Sequence, residues 1–273
     1  MSIIIAELGT AQSTGVDSIV NLGISCGKAG ASYVKLQLGL DELYEDNSPN
    51  YSLIKDNVID LDSARHIFKE FTKHKIKFTA SCWSEKSLDF MLEFNPDFIK
   101  VGSGDATYIP LLEKIGKSGV KSILSVGMCS KQEIDSAIGA LKNVASIMVC
   151  TVNYPCDKID VNLSRMSTIY NAYVKSGLAD SVGFSNHSLD WKVPALAVMN
   201  GAKYIELHIS NGNSFGIPIG DMINFCRFSE GYYYDINFYD ALLIYGSPDL
   251  GVLTCELPWI NKARRNPETW KRV

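Results

Sequence analysis

The feature that most restricts the fold is an alternation that runs from the N-terminus past residue 200: short apolar runs, each followed by a longer amphipathic stretch. The runs are residues 3–7, 33–37, 76–81, 98–102, 121–126, 146–151, 181–185 and 204–209, several of them rich in Ile and Val. Continuous apolar runs of this length suit strands buried on both faces, as in parallel sheets. The segments 16–29, 62–74, 84–93, 109–117, 130–141, 163–175 and 189–199 have helical length and spacing. Ser130-Lys131-Gln132-Glu133 reads as a capping box, and Ser84 and Ser188 stand where N-caps are expected. Gly30 and Gly119 follow helices, where a left-handed residue closes the last turn. Residues 232–245 read either as the eighth helix or as an exposed aromatic association surface, which would make the chain a homodimer.

Strand then helix, eight times in 273 residues, is the pattern of a single-domain (β/α)8 TIM barrel of the α/β class. A doubly wound sheet fits less well, because Glu7-Leu8-Gly9-Thr10 is not a Gly-rich phosphate turn. The barrel is expected over residues 1–246, with 247–273 a C-terminal extension of no assigned role. With 46% hydrophobic and 21% charged residues the chain has the apolar area to fold, unlike a disordered polymer. Its net charge of −4 argues against a nucleic-acid partner. The one dense basic run, Lys262-Ala263-Arg264-Arg265, reads first as a solvated tail and second as an anion patch. No apolar run approaches the roughly 20 residues of a membrane helix, and polarity returns at Glu7, too early for a signal peptide. Seven scattered cysteines, none in a C-x-x-C pair, read as reduced thiols of a cytoplasmic chain.

In such a barrel, chemistry sits at the C-terminal ends of the strands. Those ends carry Glu7; Lys35 and Gln37; Ser81; Lys100, Ser103 and Asp105; Ser125; Tyr154; Ser185, Asn186 and His187; and Glu206 and His208. A buried Lys or Glu without a partner costs several kcal/mol, so this polarity implies an anionic ligand, a cation, or both. Lys35 and Lys100 on non-adjacent strands suit a carboxylate or phosphate, with a structural ion pair and a Schiff base as the alternatives. The glycines of Gly102-Ser103-Gly104-Asp105 would let backbone N–H groups approach such an anion. His187 and His208, with Glu206 two residues before the latter, suit Mn²⁺, Fe²⁺, Zn²⁺ or, less well, Mg²⁺.

Seven pieces carry a resemblance: Ile-Ala-Glu-Leu-Gly at 5–9, Ala-Gly-Ala-Ser-Tyr-Val-Lys-Leu-Gln at 29–37, Phe-Ile-Lys-Val-Gly-Ser-Gly-Asp at 98–105, Ile-Leu-Ser-Val-Gly-Met at 123–128, Asn-Tyr-Pro at 153–155, Gly-Phe-Ser-Asn-His-Ser at 183–188 and Ile-Glu-Leu-His at 205–208. Over residues 3–221 the chain resembles the barrel of the sialic acid synthase family. These enzymes condense phosphoenolpyruvate with an N-acetylated amino sugar to make nonulosonic acids. The resemblance implies that Lys35, Ser81, Lys100, Ser103, Ser125 and Ser185 hold phosphoenolpyruvate. It implies that His187 and His208 bind a divalent metal, Mn²⁺ or Mg²⁺. Glu7, Asp105, Tyr154 and Glu206 become the catalytic candidates, with Glu7 taking the proton of the attacking water, and Gln37, Tyr154 and Asp221 the sugar contacts.

The chain departs from the family at several places. Ala11-Gln12 stands for an Asn-His pair, Ser81-Cys82-Trp83 for Thr-Pro-Phe, and Val149 for a strand-six His. A C-terminal antifreeze-like domain is expected to be absent. Two other readings stay open: a different metal-dependent barrel aldolase or epimerase, for which His187, Glu206 and His208 alone suffice, and a non-catalytic ligand-binding descendant of a synthase.

Overall fold

The computed structural model describes residues 1–45, 48, 50–210, 212, 215–232 and 244–272. Eight parallel strands close into a barrel in sequence order: β1 (Ile3–Glu7), β2 (Tyr33–Leu38), β3 (Phe78–Cys82), β4 (Ile99–Val101), β5 (Ser122–Ser125), β6 (Val144–Val149), β7 (Val182–Asn186) and β8 (Tyr204–His208), the last pairing with the first. The outer layer consists of α1 (Val16–Lys28), α2 (Leu61–Lys73), α3 (Glu85–Leu92), α4 (Ile109–Ser118), α5 (Lys131–Leu141), α6 (Arg165–Ile169), α7 (Lys192–Met199) and α8 (Ile219–Ser229). A further short helix, α9 (Leu257–Ala263), belongs to the C-terminal segment. Among the described residues no helix is long and apolar enough to cross a membrane.

Strand side chains alternate between two faces. Ile4, Ala6, Val34, Leu36, Leu38 and Ala80 point outward into the main core, where α2 supplies Ile67, Phe68 and Phe71. The alternate residues fill the barrel. Ile5, Phe98, Ile123, Ala145 and Met148, flanked by Tyr33 and Tyr204, form a separate apolar plug. Two residues further along each strand the inward positions turn polar: Glu7, Lys35, Lys100, Ser125 and Glu206. The period of two therefore stacks a charged layer directly on an apolar one, and the strand register aligns that layer around the barrel. Glu7 lies opposite both Lys35 and His208, Ser81 opposite Gln37 and Lys100, and Ser185 opposite Glu206.

Side-chain caps set three of the helix starts, at α2, α3 and α5. The Ser130–Glu133 capping box forms, with Glu133 Oε2 accepting from Ser130 N at 2.8 Å, and Ser84 caps α3. Ser188 does not cap α7. Its Oγ accepts from Asp190 N, its own N–H donates to Asn186 Oδ1, and the helix starts only at Lys192. The 163–175 segment is α-helical over Arg165–Ile169 and continues as a π-helical stretch, Tyr170–Val174. The eighth barrel helix is Ile219–Ser229, entered from Pro218, rather than residues 232–245; of these, 233–243 lie outside the described residues.

Aromatic packing holds α2 and α3 on the barrel. Fully buried Phe68 stacks on Phe78 with centroids 4.3 Å apart and meets Phe94 edge-on at 5.3 Å. Phe68→Ala is expected to lower unfolding stability by about 3–5 kcal/mol, measured by urea denaturation. A loss below about 1 kcal/mol would show that other contacts hold this side of the barrel.

Candidate active site

The inward-facing charged layer is an ion-pair chain. Lys35 Nζ lies 3.4 Å from Glu7 Oε1, 3.3 Å from Glu206 Oε1 and 3.0 Å from Ser81 Oγ. Lys100 Nζ lies 3.1 Å from Glu206 Oε2, 2.8 Å from Ser125 Oγ and 3.2 Å from the Val101 carbonyl. Each ammonium therefore meets three acceptors, matching its three N–H donors. All four charged groups are buried. Burial alone would raise the Glu7 carboxyl; the ammonium of Lys35 and the imidazole of His208 outweigh it and hold the pKa at about 2. Burial likewise opposes ionisation of Glu206, and the two lysines outweigh it, keeping this carboxyl far below the usual range. For Lys35, burial is outweighed by Glu7 and Glu206, and its pKa rises above the usual 10.5.

The two histidines meet beside this chain, with ring centroids 4.9 Å apart. His187 Nδ1 lies 2.5 Å from the Thr151 carbonyl, which fixes the proton on that nitrogen and leaves Nε2 with its lone pair. Burial, reinforced by His208, pushes the His187 pKa down to about 3, so the ring is neutral at ordinary pH. His208 Nδ1 lies 2.9 Å from Glu7 Oε2, though off-line for a hydrogen bond. A carbonyl behind one imidazole and a carboxylate behind the other are the partners that orient metal-binding histidines. The pair therefore fits a divalent ion with two protein ligands. Among the described residues no group of three or more His, Cys, Asp or Glu is disposed to hold a metal.

Over this floor opens a cavity of about 540 Å³, within the range of small-molecule sites. Its lining brings together Lys35, Gln37, Ser81, Lys100, Ser103, Ser125, Tyr154, Ser185, His187, Glu206 and His208. Glu7 lies just beneath, where Oε1 accepts from Gly9 N at 2.8 Å and Gln37 Nε2 at 3.1 Å. Tyr154 stacks against His187 with centroids 4.1 Å apart, and burial pushes its hydroxyl well above the ordinary phenol range. Gln12 ties the end of β2 to the next loop, bonding the backbone of Gln37 and Asn57. Asp221 sits in the first turn of α8 and is not among the lining residues.

Asp105 is also absent from the lining. It is buried, and its Oδ1 accepts from Arg265 Nε at 2.6 Å. Arg265 reaches it from the basic run expected to be a solvated tail. Residues 254–272 instead fold across the barrel mouth. Buried Glu256 accepts from Val152 N and Leu253 N, both at 2.8 Å. Arg264 bonds Glu133 and the Met128 carbonyl. Arg265 also bonds the carbonyls of Trp83 and Trp270, and Arg272 pairs its backbone with Leu43 and Glu45. This segment adds Trp259, Lys262, Ala263 and Arg272 to the lining, none of which the strand-end reading identified. No sequence signal pointed to them: the burial of Asp105, whose charge requires a partner, shows only in the fold. Gly104 makes room for the segment: a Cβ there would strike the Ala263 carbonyl and the Arg272 guanidinium.

A closed eight-stranded parallel barrel with a charged bowl at its strand ends is a (β/α)8 domain with the site placement of that architecture. The NeuB family pattern matches residues 25–218, and the chain belongs to the NeuB family. It is 29% identical over 240 residues to the N,N'-diacetyllegionaminic acid synthase of Legionella pneumophila, covering 79% of this chain and 65% of that protein. It is 28% identical over 225 residues to the N-acetylneuraminate-9-phosphate synthase of Drosophila melanogaster, covering 76% and 59%. The chain thus spans less than two thirds of the length of these relatives. The crystal structure of the Bacillus subtilis spore coat polysaccharide biosynthesis protein SpsE superposes with a TM-score of 0.80 at 23% identity, covering 97% of this chain and 78% of that one.

Two substitutions test this construction. Lys35→Met leaves Glu7 and Glu206 short of a cation and is expected to cost about 3–5 kcal/mol in unfolding stability; Glu7→Gln in the same chain, which keeps the Lys100–Glu206 pair, is expected to recover part of that loss. The stabilising share of Lys35 is complete below pH 10.5, its ordinary pKa, and is lost only as pH rises through the higher folded value. Gly104→Ala is expected to lift the C-terminal segment, so that trypsin cuts after Lys262 and Arg264 several-fold faster while the circular dichroism of the barrel is unchanged. Unaltered cleavage would show that the segment is held without this contact.

Proposed function

We propose that the barrel condenses phosphoenolpyruvate with an aldose-type amino sugar to give a nonulosonic acid and inorganic phosphate. The observation that carries this reading is the shared bowl: the ammonium groups of β2 and β4 and the imidazoles that end β7 and β8 line one cavity large enough for small-molecule ligands. Family membership supports it, as do the synthase names of the two relatives. In this reaction the enol C3 attacks the sugar's aldehyde carbon. Water then adds to the resulting cation at C2, and the C–O bond to phosphate breaks.

Lys35 and Lys100, with Ser81, Ser103, Ser125 and Ser185, would orient the carboxylate and phosphate of phosphoenolpyruvate. At their present pKa values Glu7 and Glu206 are weak bases. An incoming anion that shares their lysine partners removes the charge that holds those pKa values down, and so moves both carboxylates towards proton-accepting strength. Glu7 is then placed to take the proton of the attacking water. Gln37 and Tyr154 would contact the sugar. His187 and His208 would hold a divalent ion, Mn²⁺ or Mg²⁺, whose chemistry when bound is Lewis-acid polarisation of the sugar's carbonyl oxygen. Asp105 is better suited to hold the C-terminal segment than to touch substrate, because its carboxylate is committed to Arg265.

The direct test is phosphate release from phosphoenolpyruvate, with Mn²⁺ and a panel of N-acetylated hexosamines and their phosphates. Release with at least one acceptor is expected. In Lys100→Met, which removes the charge and keeps the volume, the rate should fall about 100-fold or more. No release with any acceptor would overturn the reading, and an undiminished rate in Lys100→Met would place the anion elsewhere.

A further inference from the structure

The charges around the cavity are unevenly shared. On the floor, Lys35 and Lys100 are balanced by Glu7 and Glu206. Among the described residues, Arg265 and Arg272 at the mouth face a single carboxylate, Asp105, and Lys262 has no acidic partner. Asp105 is already engaged by Arg265 at 2.6 Å, while Arg272 Nη2 stands 3.9 Å from its other oxygen, beyond hydrogen-bond reach. Excess positive charge therefore enters the site from the C-terminal segment.

Arg272 is built to use that excess. It is only 8% exposed, lines the cavity, and its buried Nε has no hydrogen-bond partner among the described residues. The guanidinium lies over the Trp83 ring, 4.6 Å from the centroid, so its plane is fixed. The backbone is pinned on both sides, with Arg272 N donating to Leu43 O and Arg272 O accepting from Glu45 N, each at 2.8 Å. Leaving a desolvated guanidinium with unused donors is costly unless a ligand completes it. A planar fork held rigid beside an open cavity matches a tetrahedral oxyanion.

We infer that Arg272 binds a phosphate monoester in this cavity, on the side of the Gly102–Gly104 turn, with Lys262 adding charge at the rim. This deepens the synthase reading and rests on it for the identity of the substrates. The phosphate belongs either to phosphoenolpyruvate or to a phosphorylated acceptor sugar.

Calorimetric titration of the full chain with inorganic phosphate, phosphoenolpyruvate, and a hexosamine 6-phosphate beside the same unphosphorylated hexosamine separates these sources. Arg272→Gln is expected to weaken the ligand whose phosphate it meets about tenfold, and Arg272→Lys to recover part of that affinity. A loss confined to phosphoenolpyruvate assigns the phosphate to that substrate; a loss confined to the hexosamine phosphate assigns it to the acceptor. Unchanged affinity for all three phosphates overturns the inference and leaves the synthase reading standing. Where Arg272→Gln does not fold, Arg272→Lys keeps the charge without the fork, and affinities equal to those of the unmodified chain overturn it in the same way. Phosphate held through Arg272 in a chain that does not bind phosphoenolpyruvate would sustain the inference and end the synthase reading. A chain that binds none of the three overturns both.

Discussion

Lys35 and Lys100 are tolerable inside the barrel because Glu206 stands between them, one carboxylate oxygen facing each ammonium. Replacing a buried ionic chain of this kind by apolar residues of similar volume is often neutral or stabilising. Stability therefore gives no reason to keep it, and its place at the strand ends, where barrels keep their chemistry, gives one. The same chain sets the protonation state of its neighbours. Glu7, held ionised by Lys35 and His208, faces the Nδ1 side of His208, while the Thr151 carbonyl does the corresponding job for His187.

Strand periodicity makes this arrangement possible. The inward face carries Ile5 then Glu7, Phe98 then Lys100, Ile123 then Ser125, and Tyr204 then Glu206. A slip of one residue in any strand would send its charged side chain into the packing against the helices. The apolar plug and the ionic layer are thus two readings of one pattern. Labour is also divided between floor and mouth. The floor pairs two ammonium groups with two carboxylates, and the C-terminal segment brings further cations to the mouth.

Strands were the most legible part of the sequence, since eight apolar runs correspond to eight strands with ends shifted by up to two residues. Helix starts were legible where a side chain caps the backbone, as at Ser84 and Ser130. They were not at Ser188, which turns its hydrogen bonds into the loop after β7. Helix α8 escaped notice because it begins at a proline, carries Gly220 in its first turn and mixes polar with apolar residues. Within the bowl, residue types at strand ends were enough to bring Lys35, Lys100, His187 and His208 together. The contribution of Trp259, Lys262 and Arg272 was hidden because a charged terminal segment has the composition of a solvated tail. Only the burial of Asp105, a tertiary fact, shows why Arg265 must return to it. Glycine at 104 has a second use that its sequence context did not show: besides lining the cavity, it gives room to Ala263 and Arg272.

Arg265 and Asp105 are 160 residues apart in the chain. During synthesis the ribosome releases all eight staves and their inward charges well before Arg265 and Arg272 leave the exit tunnel. A nascent barrel can close with its ionic floor assembled while Asp105 still waits for its cation. The pocket is completed only once residues 254–272 have followed, and a chain interrupted before them would lack Trp259, Lys262, Ala263 and Arg272 from its lining.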